Sequence, residues 1–155
     1  MTFLADTPEI SARYRPKTAI ERPPVESPAR FVAPGTVTNG QYGLFEYDVK
    51  PRGGPHPHFH RTFSEAFYIL DGTVQLYDGA GWVDAVEGDF LYVPEGGIHA
   101  FRNDGDVMAS MLILFAPGIQ RERFFTEIAE IYASGRTLSS AEWTEFYARH
   151  DQYMI

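Results

Sequence analysis

The chain has no cysteine. That removes disulfides, thiolate nucleophiles, zinc fingers and iron–sulfur clusters from consideration. It is also short of positive charge: 13 Lys and Arg stand against 21 Asp and Glu, a net charge of −8 with an isoelectric point near 5.0. Nucleic acid and anionic membrane surfaces require a basic patch, so neither is expected as a partner. No hydrophobic run approaches the length of a membrane span. The N-terminus, Met-Thr-Phe-Leu-Ala-Asp, has neither the basic start nor the apolar stretch of a secretory signal. With no disulfide to form, a cytoplasmic location is expected. Several catalytic signatures are missing too. None of the seven serines lies in a G-x-S-x-G turn, and there is no phosphate loop and no HExxH.

What remains is an ordinary globular composition, 44% hydrophobic and 22% charged over 155 residues, enough for one domain and its core. Six of the eleven prolines fall before residue 36: Pro8, Pro16, Pro23, Pro24, Pro28 and Pro34. Proline fixes φ and removes a donor, so 1–36 reads as an extended arm with one edge strand around 29–32. The arm is either a loose tail or a segment packed on a dimer mate. A homodimer is expected from the arm and the exposed strand edges. From residue 37 to 117 the pattern is one of short strands: 42–49, a long 58–70, 73–77, 82–86, 90–93, 99–102 and 107–115. Asp71-Gly72 between two of them predicts a hairpin. Such spacing points to a sandwich or closed barrel. After Pro117-Gly118 the period changes. Phe124, Ile128, Ile131 and Tyr132 share a helical face, Gly135 stops that helix, and Ser139 with Glu142 forms a capping box for a second. Helices in 118–155 are expected to cover the barrel.

Histidine is scarce and concentrated. His56, His58 and His60 alternate, Glu65 follows, and His99 stands alone further on. In a strand, alternate side chains share a face, so His58 and His60 lie about 7 Å apart on one side. Glu65 and His99 from neighbouring strands would complete a site of three imidazoles and a carboxylate. Imidazole plus carboxylate suits one divalent transition metal, Fe, Ni, Mn, Cu or Zn, without choosing among them. Glu65 sits at an odd offset from His60, so a kink within 62–64 is needed to turn both inward. His56 is read first as a rim residue, with ligation in place of Glu65 or proton transfer as alternatives.

The run His58-Phe59-His60, four residues, Glu65, six residues, Gly72 resembles the first motif of the cupin superfamily. The run Gly88, five residues, Pro94-Glu95-Gly96, two residues, His99, three residues, Asn103 resembles the second. Fifteen residues separate the two, as in compact single-domain bacterial cupins. One departure is Arg52, where the family often has glycine; the other is the extra His56. The resemblance implies an all-β fold, a small antiparallel double-stranded β-helix or jelly-roll barrel, here with an N-terminal arm and two C-terminal helices. It implies His58, His60, Glu65 and His99 as metal ligands.

A barrel of this size encloses one cavity. Counting by twos from Glu65 places Phe67 and Ile69 inward, and from His99, Phe101. Tyr92, Met108, Met111 and Phe115 are further candidates. Such a lining favours a flat, hydrophobic or aromatic small molecule. Arg52, Arg61 and Arg102 are either mouth residues for an anionic group or surface ion pairs. The chain is most similar within the cupins to small quercetinase-like proteins, which share Ala100-Phe101-Arg102-Asn103 and the step Ala116-Pro117-Gly118 into Phe124-Phe125. That resemblance implies an oxygenase acting on an aromatic enol, with Glu65 as ligand or as a base whose pKa an apolar pocket raises. A non-redox cyclase or isomerase, with the metal as Lewis acid and Glu65, His56 or Tyr92 moving protons, is the second reading. A binding barrel without turnover is the third.

Overall fold

Alternating apolar residues and regularly placed turns set the strands of this chain, whose computed structural model describes residue 6 and residues 10–155. In order these are β1 (Ala29–Ala33), β2 (Gly43–Val49), β3 (His58–Phe59), β4 (Ser64–Asp71), β5 (Thr73–Tyr77), β6 (Trp82–Val86), β7 (Phe90–Val93), β8 (Ala100–Arg102) and β9 (Ala109–Ala116). Two helices follow, α1 (Arg121–Ala133) and α2 (Ser140–Arg149), and then a short β10 (Tyr153–Met154). All pairings are antiparallel. One sheet runs β1-β2-β9-β4-β7, a second β6-β5-β8, and β10 pairs with β3.

The inner face of the large sheet is apolar by strict alternation. Phe45 and Val49 on β2, Met111, Ile113 and Phe115 on β9, and Phe67 and Ile69 on β4 are all buried. The helices close the core. Phe125 of α1 lies 5.1 Å from Phe45 and 6.3 Å from Phe115, ring centre to ring centre. Ser139 caps α2 through Glu142 in a complete capping box, as its spacing predicts. Tyr132, predicted on the apolar face of α1, is 67% exposed and only leans on Trp143.

Three expectations are corrected by the topology. Asp71-Gly72 is not a hairpin: β4 belongs to the large sheet and β5 to the small one, so the chain turns a corner there. Gly72 makes the corner with φ +75°, where a Cβ would come 3.0 Å from Ala109 Cα. The hairpin lies one step later, where Tyr77 pairs with Trp82 and the Asp78 carboxylate accepts the Ala80 and Gly81 amides. The long strand over 58–70 is broken, with bends at Arg61 and Thr62 between β3 and β4. This is the kink that the Glu65 offset requires. Finally, the described part of the arm folds on its own barrel. Arg15 donates to the carbonyls of Val32 and Phe31, and Glu21 bridges to Phe31, covering the β1 edge. The arm's first residues, 1–5 and 7–9, lie outside the described residues.

Candidate metal centre

Two backbone hydrogen bonds bring the two histidine motifs together. The amides and carbonyls of His58 and His99 pair reciprocally, each at 3.0 Å. Their rings then lie 4.3 Å apart, and His60 is 5.0 Å from His58 and 5.2 Å from His99. The bend at 61–62 swings β4 so that Glu65 points to the same spot. Nitrogens of His58, His60 and His99 and a carboxylate oxygen of Glu65 all fall within 4.8 Å of one another. All four side chains belong to residues no more than 5% exposed.

The proton positions follow from the partners. Each Nδ1 faces a main-chain carbonyl, which can only accept: His58 to His56 at 2.7 Å, His60 to Asp151 at 2.7 Å, His99 to Gly97 at 2.9 Å. Each Nδ1 therefore carries hydrogen, and in the neutral ring each Nε2 presents a lone pair inward. Glu65 Oε2 lies 3.1 Å from His60 Nε2 and 2.7 Å from His99 Nε2. Lone pairs would then meet lone pairs, which a cation must relieve. A proton does so by converting His99 to an imidazolium. A divalent metal does so for all four groups at once, so the residues fit the ion.

The charges respond accordingly. Burial pushes His58 down to about 3, helped by the neighbouring His99. Burial also disfavours a charged His99, but the Glu65 carboxylate outweighs it and holds His99 above the ordinary imidazole value. Burial acts to raise Glu65, yet the bonds from His60 and His99 prevail and keep it well below the usual carboxylate range. The expected upward shift of Glu65 toward a general base is thus reversed. The apolar pocket matters less than its two imidazole neighbours.

The other predicted site residues divide cleanly. Phe67, Ile69, Phe101, Met111 and Phe115 are buried behind the ligands, with Phe67 5.9 Å from the His99 ring and 5.6 Å from Phe101. Tyr92 is 59% exposed, because Val93 pairs with Glu65 and takes the inward position. Met108 is 52% exposed, ahead of the first residue of β9. His56 is exposed and outside the cluster; its carbonyl, not its ring, serves the site by fixing His58. Arg102 lies over Trp82 at 3.8 Å, Arg61 over Tyr153 at 4.1 Å, and Arg52 bonds the Asp104 carbonyl, so all three are engaged at the surface. Buried Asn103 donates through its side-chain amide to the Val49 and Val107 carbonyls and so ties its own turn. An open volume of about 430 Å³ lies between the helices, lined by Glu127, Ile131, Phe146 and Arg149, with none of His58, His60, Glu65 and His99 in its lining.

Sequence reading misses Asp151 and Arg121. Arg121 is 4% exposed, 3.9 Å from the Phe124 ring, and donates to the His150 carbonyl and the Gln152 side chain. An arginine opening a helix carries no signal that it will be buried, and nothing in Asp-Gln-Tyr marks a strand beside β3.

Comparison with known proteins agrees with this architecture. A family model described as Cupin domain matches residues 45–115. Over 103 residues the chain is 28% identical to quercetin 2,3-dioxygenase of Bacillus subtilis, covering 66% of this chain and 30% of that protein. It spans about a third to a half of the length of the curated relatives it matches. Among solved structures, the polyketide cyclase RemF from Streptomyces resistomycificus aligns with TM-score 0.57 at 20% identity, over 68% of this chain and 80% of that one. A Cupin 2 conserved barrel domain protein from Salinispora arenicola aligns with TM-score 0.55 at 22% identity, over 76% and 99%. At such identities these two likenesses concern the fold. No helix among the described residues is long and apolar enough to cross a membrane. With both motifs in place on an antiparallel barrel and the family model matching residues 45–115, this stretch of the chain is a cupin domain.

Proposed function

We propose that this protein is a metal-dependent enzyme acting on a small, flat, largely apolar or aromatic molecule, and that its chemistry is that of an oxygenase. The observation that carries the reading is the set of three imidazoles, each with Nδ1 on a main-chain carbonyl, and one carboxylate turned on a single point. His58, His60, Glu65 and His99 would hold one divalent transition metal. When bound, that ion would supply polarisation of an enol or enolate oxygen and a route to dioxygen chemistry. The chain's own part is to orient and to exclude. Phe67 and Phe101 offer aromatic surface beside His99, and the buried apolar wall keeps bulk water from the ligands. Glu65, held ionised, serves as an acceptor and ligand rather than as a strong base. The similarity to a quercetin dioxygenase supports oxygen chemistry. A cyclase reading loses its proposed extra proton carrier, since His56 is exposed and outside the cluster.

The test is elemental analysis of purified protein beside a His58→Ala/His60→Ala variant, followed by oxygen uptake with flavonol-type substrates. About one redox-active metal per chain, absent from the variant, with substrate-dependent oxygen uptake is the expected result. Tightly held zinc without oxygen uptake would sink the oxygenase. We also propose a homodimer. Tyr68, Phe90 and Tyr92 stand 44%, 63% and 59% exposed on the outer face of β4 and β7, beside half-buried Leu112 and Leu114 of β9. An apolar face of this kind is unusual on a monomer, and pairing about a twofold axis needs no second protein.

A further inference from the structure

The three imidazoles are not held alike. His58 and His99 each bond a carbonyl two residues earlier in their own loops. His60 bonds a carbonyl 91 residues away, that of Asp151. Asp151 sits at the end of α2 with φ +54°, a left-handed conformation that an aspartate tolerates better than most residues. Its carboxylate is fully occupied on the segment after His60. Oδ1 accepts the Arg61 amide at 3.0 Å, and Oδ2 accepts the Thr62 amide at 2.8 Å and the Thr62 hydroxyl at 2.6 Å. One residue therefore grips the bend between β3 and β4 with its side chain and the His60 ring with its main chain.

The surroundings hold Asp151 in place from both sides. Before it, buried Arg121 bonds the His150 carbonyl at 3.0 Å; after it, the same guanidinium bonds Gln152 Oε1 at 3.0 Å. Beyond that, β10 pairs with β3, Tyr153 opposite Phe59 and Met154 opposite His58. The Ile155 amide adds a bond to the Pro57 carbonyl.

From this geometry we infer that Asp151 is a positioning residue: through the 61–62 bend and the His60 Nδ1–H it aims His60 Nε2 at the metal position. The inference rests on the metal reading above, and one arm of its test does not. In metal-free protein, nitrogen-resolved NMR of the histidine rings reports which nitrogen is protonated. Wild type should show His60 as a single Nδ1–H form. Asp151→Gly keeps the left-handed backbone and deletes the grip, and should leave His60 in a mixture of forms while His58 and His99 are unchanged. Titration with cobalt(II), followed by its visible absorption, should show affinity weakened roughly 10- to 100-fold, as expected for loss of a group that orients a ligand. Asp151→Asn, which keeps one strong acceptor, should fall between the two, and carries the test if the glycine variant does not fold. An unchanged His60 form with cobalt affinity within about twofold of wild type in the folded variant would overturn the inference. If wild type itself bound no cobalt, the metal reading would fall, and the NMR arm would still decide whether Asp151 sets the His60 ring.

Discussion

Glu65 and His99 form a buried pair, Oε2 to Nε2 at 2.7 Å, at the point where the three imidazoles and the carboxylate converge. His99, raised above its ordinary 6.5, contributes stability that is complete below 6.5 and lost as pH climbs through the raised value. Glu65, lowered from 4.5, contributes stability present above 4.5 and lost only as pH falls through the depressed value. The metal-free protein therefore gains most from this pair in the weakly acidic range. A bound metal must displace the His99 proton, whereas His58, pushed down to about 3, offers none. Metal affinity should accordingly rise by about tenfold per pH unit while His99 remains protonated, then level off. Thermal unfolding with and without zinc, compared at about pH 6 and about pH 8, checks this. The increment given by zinc should be larger at the higher pH, and an equal increment at both would be the contrary result.

At the level of elements, the corner between β4 and β5 makes a sharper demand than an ordinary turn. Gly72 needs positive φ and also a bare Cα, since Ala109 stands 3.0 Å from any Cβ. Gly40 has φ +73° with nothing within 4 Å. Gly40→Ala should cost about 1–2 kcal/mol from backbone conformation alone. Gly72→Ala should cost more, on the order of 2–4 kcal/mol, as the large sheet shifts to admit a methyl group. Urea unfolding of the two variants separates these, and equal losses would mean that the close approach at Ala109 is harmless. Strand parity shows how far counting by twos can go. Phe67, Ile69 and Phe101, each counted from Glu65 or His99 in its own run, are buried on the same side as those residues. β7 has no such anchor, and there the inward residue is Val93, one place along from Tyr92. Within the long 58–70 run the Glu65 offset announces a kink near 62–64, but nothing there announces that the strand breaks in two or that a carboxylate 89 residues further on holds the bend.

Across the whole molecule, the barrel and its four inward ligands were legible because the motifs encode turns and alternation, which are local. The closing of the site was not, because β10, Arg121 and Asp151 act only through tertiary contact. The quaternary arrangement belongs to this scale as well. The described part of the arm covers the β1 edge through Arg15 and Glu21, and the proposed dimer uses instead the aromatic outer face of β4 and β7. Light scattering should give twice the chain mass of 17.5 kDa, and Tyr68→Lys/Tyr92→Lys should bring it to the single mass. A wild-type monomer would end the dimer proposal.

Each ring nitrogen that faces away from the metal position rests on a main-chain carbonyl. Every residue type supplies that oxygen, so His58 and His99 inherit their orientation from the path of their own loops, while His60 depends also on the Asp151 side chain that holds the bend after it. Phe67, Phe101 and Met111, buried beside the cluster, are under the opposite regime, since they act through their side chains alone. Substitution at those three positions can therefore change the apolar packing around the cluster while the backbone that orients His58 and His99 passes unchanged.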